Sequence, residues 1–520
     1  MARTRSALLL AALAATSLAL GCPSGDDDTI DDDTIDDDDD DSAGDDDDAT
    51  AGIAHREDGW LRGDLHLHTS YDGGFNDVAT VVALAEYFED EEFQAYHPEY
   101  AGNHLDFIAI TDHRTTAQNQ DPGFASDRLI LLPGEEFGGD GHAGCWGVSD
   151  TVQHDPDGDG TSADDIAAAV VETHAQGALF SPNHAVLDGN LFRWDVRDHD
   201  AFEIWNFGWA LASPAGLEED IPGWEATHGP ASPYIKRAIR EQGVLADTQG
   251  LTMWEAMLAR GIHVALVGGS DRHALVLPAT PATYVRTEGA DVDAVLDGIR
   301  ARHTFVSRNP AAAQVLMEVE LGGATHEMGD SIPVAAGGVT ATIRVRVARA
   351  SGGLLQLVAG SAVESDEALE DAELGQTVHE QSVDGDDVTV EVELSVASGD
   401  WIYPMVFEPL VPAGATTGQA DLIHELAETF RAGGAEVSEI ATTLAPLLTD
   451  LDALGDPSLC DPASWEPDGL QCVPVEGEGM GSVFIPDLLD RALHAHVEDD
   501  QVTDWCMGAL GTAVLFTEDE

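Results

Sequence analysis

Groups able to hold divalent cations recur along this chain at the ends of short apolar runs. "WLRGDLHLH" places His66 and His68 two residues apart, and Asp72 follows. Side chains two apart on a strand share a face, so both imidazoles can address one ion. "LDFIAITDH" ends at His113, "RLILLPGEE" at Glu136 beside Glu135, and His142 follows in "GHAG". "GALFSPNH" ends at His184, and "HVALVGGSDRH" ends with Asp271 and His273, again two apart. Imidazoles and carboxylates are the ligand set of Zn²⁺, Mn²⁺ or Fe²⁺. A water between two such cations has its pKa lowered from 15.7 to about 7, so the expected chemistry is hydrolysis. Asp271 is the group expected to pass a proton to the leaving group. Arg114, Asn183, Asn206 and Arg272 flank the ligands, and each is read either as a substrate contact or as ordinary surface or supporting hydrogen bonding. The chain has no G-x-S-x-G nucleophile motif.

These groups need elements that bring them together. The seven runs "WLRGDLHLH", "LDFIAITDH", "RLILLPGEE", "HAGCWGV", "GALFSPNH", "AFEIWN" and "HVALVGGSDRH" read as strands. Helical patterns such as "VATVVALAEYFEDEEF" and "ADDIAAAVVETHAQG" lie between them. Strand–helix alternation with polar residues at strand C-termini implies an α/β fold, a parallel barrel with its site at that face. After residue 310 the pattern changes. "GGVTATIRVRVARA" and "DDVTVEVELSVASGDWIYPMVF" alternate apolar and polar residues, which predicts a small antiparallel β-sandwich over 311–410. Residues 411–505 read as a helical, disulfide-containing insert, and 506–520 as a final strand and tail. His494 and His496 repeat the two-residue spacing, but on the expected helix they diverge by about 200°, which reads as a solvated face.

The 520 residues carry 98 acidic and 22 basic side chains, for a net charge of −76. That balance excludes nucleic acid as a partner, because phosphate binding needs clustered Lys and Arg. Lys236 is the one lysine, which favours an uncharged ester over a phosphoester. Residues 1–21 read as a signal peptide, with Arg3 and Arg5 ahead of an apolar run. "LALGC" resembles a bacterial lipoprotein signal, which implies lipidation at Cys22 and export to the cell envelope, with the outer membrane as destination. The membrane is then met through the lipid alone. Sixteen aspartates between Asp26 and Asp48 make residues 22–58 a self-repelling, extended tether. Beyond Cys22, the pairs Cys460–Cys472 and Cys145–Cys506 are one disulfide arrangement open to the chain. "DPDGDGTSADD" offers Asp155, Asp157 and Asp159 as the start of a calcium loop, or else a polar turn before a helix.

In order, "DLHLHT", "TDH", "PGEE", "NH" and "GSDRH" resemble the polymerase-and-histidinol-phosphatase (PHP) family of metal-dependent hydrolases over residues 59–310. "GEEFGGDGHAG", "FEIWN" and "TPATYV" followed by "ARHTFVSRNP" are similar to its CehA/McbA-like branch. The resemblance implies a distorted seven-stranded β/α barrel with two or three divalent ions. It implies His66, His68, Asp72, His113, Glu136, His142, His184, Asp271 and His273 as ligands, Glu136 as the carboxylate between metals, and His142 and His184 at a third ion. It implies an enzyme in which a metal-bridging hydroxide cleaves a phosphoester or a carboxylic or carbamate ester, which the leader reading makes an exported one. The other reading is a non-catalytic, metal-containing surface protein that binds a partner.

Overall fold

The computed structural model describes residues 59–518 apart from 73, 75, 90–102, 140, 156–160, 188–190, 207–224, 227–228, 241–245, 274–276, 336, 413–414, 416, 432–490, 493 and 499–500. The expectations for Cys22, the leader, the tether, Asp157, Asp159, Cys460, Cys472 and most of 411–505 lie outside the described residues.

All seven runs form strands: β1 (Trp60–Leu67), β2 (Phe107–Ile110), β3 (Ile130–Phe137), β4 (Ala143–Trp146), β5 (Leu179–Pro182), β6 (Ala201–Asn206) and β7 (Ala265–Gly269). Their burial explains their composition. Every residue of β1, β2, β4, β5, β6 and β7 is buried, so both faces need apolar or fully partnered side chains. Each Val, Leu, Ile or Phe so enclosed contributes about 1.5–3 kcal/mol. β1 pairs in parallel with β2, and β2 with β3; β6 pairs in parallel with β7. β4 runs antiparallel to both β3 and β5, which corrects the all-parallel expectation. Only a short connection separates β3 from β4, and a parallel crossover needs a dozen residues or more. The helix Ala163–Ala175 starts on a capping box between Ser162 and Asp165 and buries Ile166, Ala169, Val170 and Thr173.

The main sheet continues beyond these strands. β8 (Ala282–Arg286) lies beside β1, followed by β9 (Thr304–Ser307). The later strands are β10 (Gln314–Leu321), β11 (Ala324–Glu327), β12 (Ser331–Val334), β13 (Val339–Ala348), β14 (Gly353–Ser361), β15 (Gln376–Val383), β16 (Asp387–Val396), β17 (Asp400–Pro409), β18 (Ala495–Glu498), β19 (Gln501–Gly511) and β20 (Val514–Glu518). β10, β11, β13 and β16 make a separate four-stranded sheet. Its inward residues, among them Val315, Met317, Ile343 and Val345, share a core with Leu355, Ile402, Val406 and Phe516 of the main sheet. β19 pairs with β9 and β17, so the C-terminal strands stitch the later strands to the earlier ones.

Two expectations are corrected here. Cys145 is a free, buried thiol on β4, opposite Glu135 and against Thr173, so it is not bridged to Cys506 on β19. The helix expected to reach His496 gives way to β18, because pairing with β19 outweighs local helical preference. His494 is buried against Trp205, with ring centroids 5.4 Å apart, rather than solvated. No helix among the described residues is long and apolar enough to cross a membrane.

Candidate metal centre

The strand ends are knitted together by backbone bonds before any side chain contributes. Asp271 N donates to His66 O at 2.9 Å, His68 N to Arg272 O at 3.1 Å, and Asn183 N to His142 O at 3.0 Å. An isolated parallel bridge joins His113 to Glu136. Residues far apart in sequence are thereby brought together.

Glu136 is the centre. Its Oε1 lies 3.3 Å from His66 Nε2, 3.4 Å from His142 Nδ1 and 3.1 Å from His184 Nε2. Its Oε2 lies 3.4 Å from His68 Nε2 and 3.0 Å from His113 Nδ1. Asp271 Oδ1 lies 3.4 Å from His66 Nε2, 3.0 Å from His68 Nε2 and 3.4 Å from His273 Nδ1. Donor atoms gather within 4.8 Å of one another in three overlapping groups. These are His66, His68, Glu136 and Asp271; His68, Asp72, His113 and His273; and His113, Glu136 and His142. These groups hold eight of the nine expected ligand positions, and His184 joins them through Glu136 Oε1.

The donor set fits divalent cations. His66 Nε2, His68 Nε2, His142 Nδ1, Glu136 Oε2 and Asp271 Oδ1 are buried, lie close together and make no hydrogen bond. Leaving a buried polar atom unsatisfied costs about 1–3 kcal/mol. Several such atoms aimed at one another are what a cation would satisfy together.

Charge follows the same geometry. Burial alone would depress His66, but the carboxylates of Glu136, Asp271 and Glu203 hold it well above its usual range. Burial likewise opposes protonation of His68, and Asp72, Asp271 and Glu136 override it. Glu136 is held far below the ordinary carboxylate range despite its burial, by His66, His113 and His142. Burial pushes His113 down to about 3, so it offers a neutral imidazole at neutral pH.

Several carboxylates that the sequence did not single out support this cluster. Glu203 on β6 lies 2.8 Å from His66 Nδ1, and accepts from His184 N at 2.8 Å and Asn206 Nδ2 at 3.0 Å. Asp64 accepts from His66 N, Ser270 N, Ser270 Oγ and Ala279 N, tying β1 to the loop after β7; burial raises it to about 6. Asp112 accepts from Thr69 N and Thr69 Oγ1, and burial beside Asp72 raises it to about 7. One signal was available. Each is a carboxylate inside or beside an apolar strand run, where an unpartnered charge would be prohibitive.

The four flanking residues separate. Asn183 Nδ2 donates to Glu136 Oε1 at 3.1 Å, and Asn206 Nδ2 reaches Asp271 Oδ2 at 3.4 Å. Arg272 is buried and donates to Asn76 Oδ1 at 2.8 Å. Arg114 is exposed. Asp72 Oδ2 sits 2.6 Å from His68 Nδ1 and accepts from His113 N at 2.6 Å, so it also orients its neighbours. Asp155 is described and belongs to none of these three groups.

Glu203 Oε1 faces His66 Nδ1 and leaves Nε2 toward Glu136 and Asp271, the position a carboxylate takes behind a ligating imidazole. Glu203→Gln should weaken divalent-metal affinity about 10–100-fold with the fold retained. Calorimetric titration of the metal-free protein with Zn²⁺ or Mn²⁺ reads this, and unchanged affinity would remove Glu203 from that role.

No family model matches the chain, and no curated protein matches it. Among solved structures, it is similar to a two-domain protein from Bacteroides vulgatus described as containing a predicted PHP-like metal-dependent phosphoesterase. The identity is 15%, covering 67% of this chain and 91% of that one, with a TM-score of 0.31.

Proposed function

We propose that this chain is a metal-dependent hydrolase that holds two or three divalent cations among His66, His68, Asp72, His113, Glu136, His142, His184, Asp271 and His273. The observation that carries it is the convergence of five imidazoles on one buried carboxylate, Glu136, with unsatisfied donor atoms facing one another. Cations bound there would polarise a carbonyl or phosphoryl group and acidify water.

The chain's own residues do the rest. Glu203 and Asp72 hold the rings of His66 and His68 at their Nδ1 atoms, leaving each Nε2 facing Glu136 and Asp271. Asn183 and Asn206 anchor the carboxylates of Glu136 and Asp271. Asp271 is the carboxylate that moves a proton toward the leaving group, and its backbone sits in the left-handed region at φ 49°. Burial of the ligands keeps bulk water from screening these charges.

The substrate is a phosphoester or a carboxylic or carbamate ester, in keeping with the CehA/McbA-like motifs. β1–β7 make up the distorted barrel of residues 59–310. The β-sandwich-like unit covers 311–410, the insert follows from 411, and β18, β19 and β20 close the chain over 495–518. A signal over 1–21 and lipidation at Cys22 would place the enzyme on the cell envelope, with 22–58 as its tether.

Purified protein loaded with Mn²⁺ or Zn²⁺ should turn over nitrophenyl phosphate or a nitrophenyl ester, and a chelator should stop it. Bound metal with no turnover of either class would instead favour the non-catalytic surface protein.

A further inference from the structure

Arg114 follows His113 directly, and nothing in the ligand geometry uses it. Its backbone is left-handed, with φ at 56°. A side chain other than glycine is disfavoured there, and such conformations gather at functional sites. Arg114 N donates to Glu136 O at 3.0 Å, which fixes the turn against the strand carrying the central carboxylate.

The stem is placed as well. A Cβ built on Gly138 would lie 3.3 Å from Arg114 Cγ, 3.4 Å from Cδ and 3.6 Å from Nε. Arg114 therefore runs along the backbone of Gly138, in the loop joining Glu136 to His142. Gly138 directly follows Phe137, the last residue of β3, so Arg114 lies over the end of the strand that carries Glu136.

Among the described residues, no carboxylate pairs with this charge. Other arginines sit on carboxylates, such as Arg260 on Asp366 at 2.7 Å and Arg344 on Glu320 at 2.8 Å. The guanidinium of Arg114 forms no hydrogen bond or ion pair among the described residues, in a chain with 98 acidic side chains. Its charge is felt by His154, which burial first and Arg114 second push down. Arg272 differs in being buried, with its Nη2 on Asn76 Oδ1.

We propose that Arg114 is the specificity-determining residue of this site and holds an oxyanion of the substrate, either a phosphoryl oxygen or a carboxylate beside the scissile ester. This reverses the expectation of an uncharged ester drawn from the scarcity of basic residues. A guanidinium offers two parallel donors to such a group, which an ammonium cannot.

The inference rests on the hydrolase reading, and the experiment keeps the two apart. Wild type, Arg114→Ala and Arg114→Lys, matched for metal content, are assayed with nitrophenyl phosphate, mono-nitrophenyl succinate and neutral nitrophenyl acetate. Arg114→Ala should raise KM at least tenfold for one of the anionic substrates and leave the acetate within twofold. Arg114→Lys should fall between. The phosphate arm identifies a phosphoryl oxygen, and the succinate arm a carboxylate. Equal loss on charged and neutral substrates, or no loss on any, overturns the proposal. If wild type hydrolyses none of them, the hydrolase reading fails and calorimetry with inorganic phosphate and with acetate decides. At least tenfold weaker binding of either by Arg114→Ala upholds the anion site, and equal binding of both overturns it.

Discussion

Glu136→Gln is expected to retain the fold and lose hydrolysis. The substitution preserves shape and removes one negative charge from the point where His66, His68, His113, His142 and His184 converge. Loss of several kcal/mol of charge stabilisation corresponds to a fall in kcat of roughly 10²–10³-fold. Metal content should drop by at least one ion per chain. The metal-free variant should also be less stable, by on the order of 3 kcal/mol, because buried imidazoles lose the carboxylate that compensates them. Elemental analysis, steady-state kinetics and denaturant unfolding read the three effects separately. Full metal content with unaltered kcat would remove Glu136 from the centre.

Asp271→Asn should lower kcat by about 10²-fold, in the range of losing one transition-state donor. Asparagine tolerates the left-handed backbone that position 271 adopts, so the change isolates the charge rather than the turn. His66, His68 and His273 all face the lost oxygen, so metal affinity should fall as well. If Asp271 also moves the proton, leaving groups that need protonation should suffer more than nitrophenolate. Equal losses for good and poor leaving groups would leave Asp271 only a ligand role.

Much of this site was legible in the chain because strand geometry is simple. A two-residue spacing puts His66 with His68, and Asp271 with His273, on one face. The apolar runs before His113, Glu136 and His184 marked where each strand would deliver its ligand. Glu203 was hidden because a lone carboxylate in "AFEIWN" gives no spacing to recognise; its meaning comes from His66 Nδ1, which lies 137 residues away in sequence. The antiparallel course of β4 was missed because strand direction depends on connection length and pairing, not on composition. His494 read as solvated because its segment looks helical in isolation, and only the ladder with β19 makes it buried. Arg114 was visible as a flanking residue, but its left-handed turn over Gly138 was not.

Anomalous X-ray scattering, recorded at the metal edge from crystals of the metal-loaded protein, tests the central claim most directly. Two or three peaks are expected, one bounded by His66, His68, Glu136 and Asp271 and another by His113, Glu136 and His142. Stoichiometric metal with no peak inside these groups would contradict the shared centre and the hydrolysis built on it.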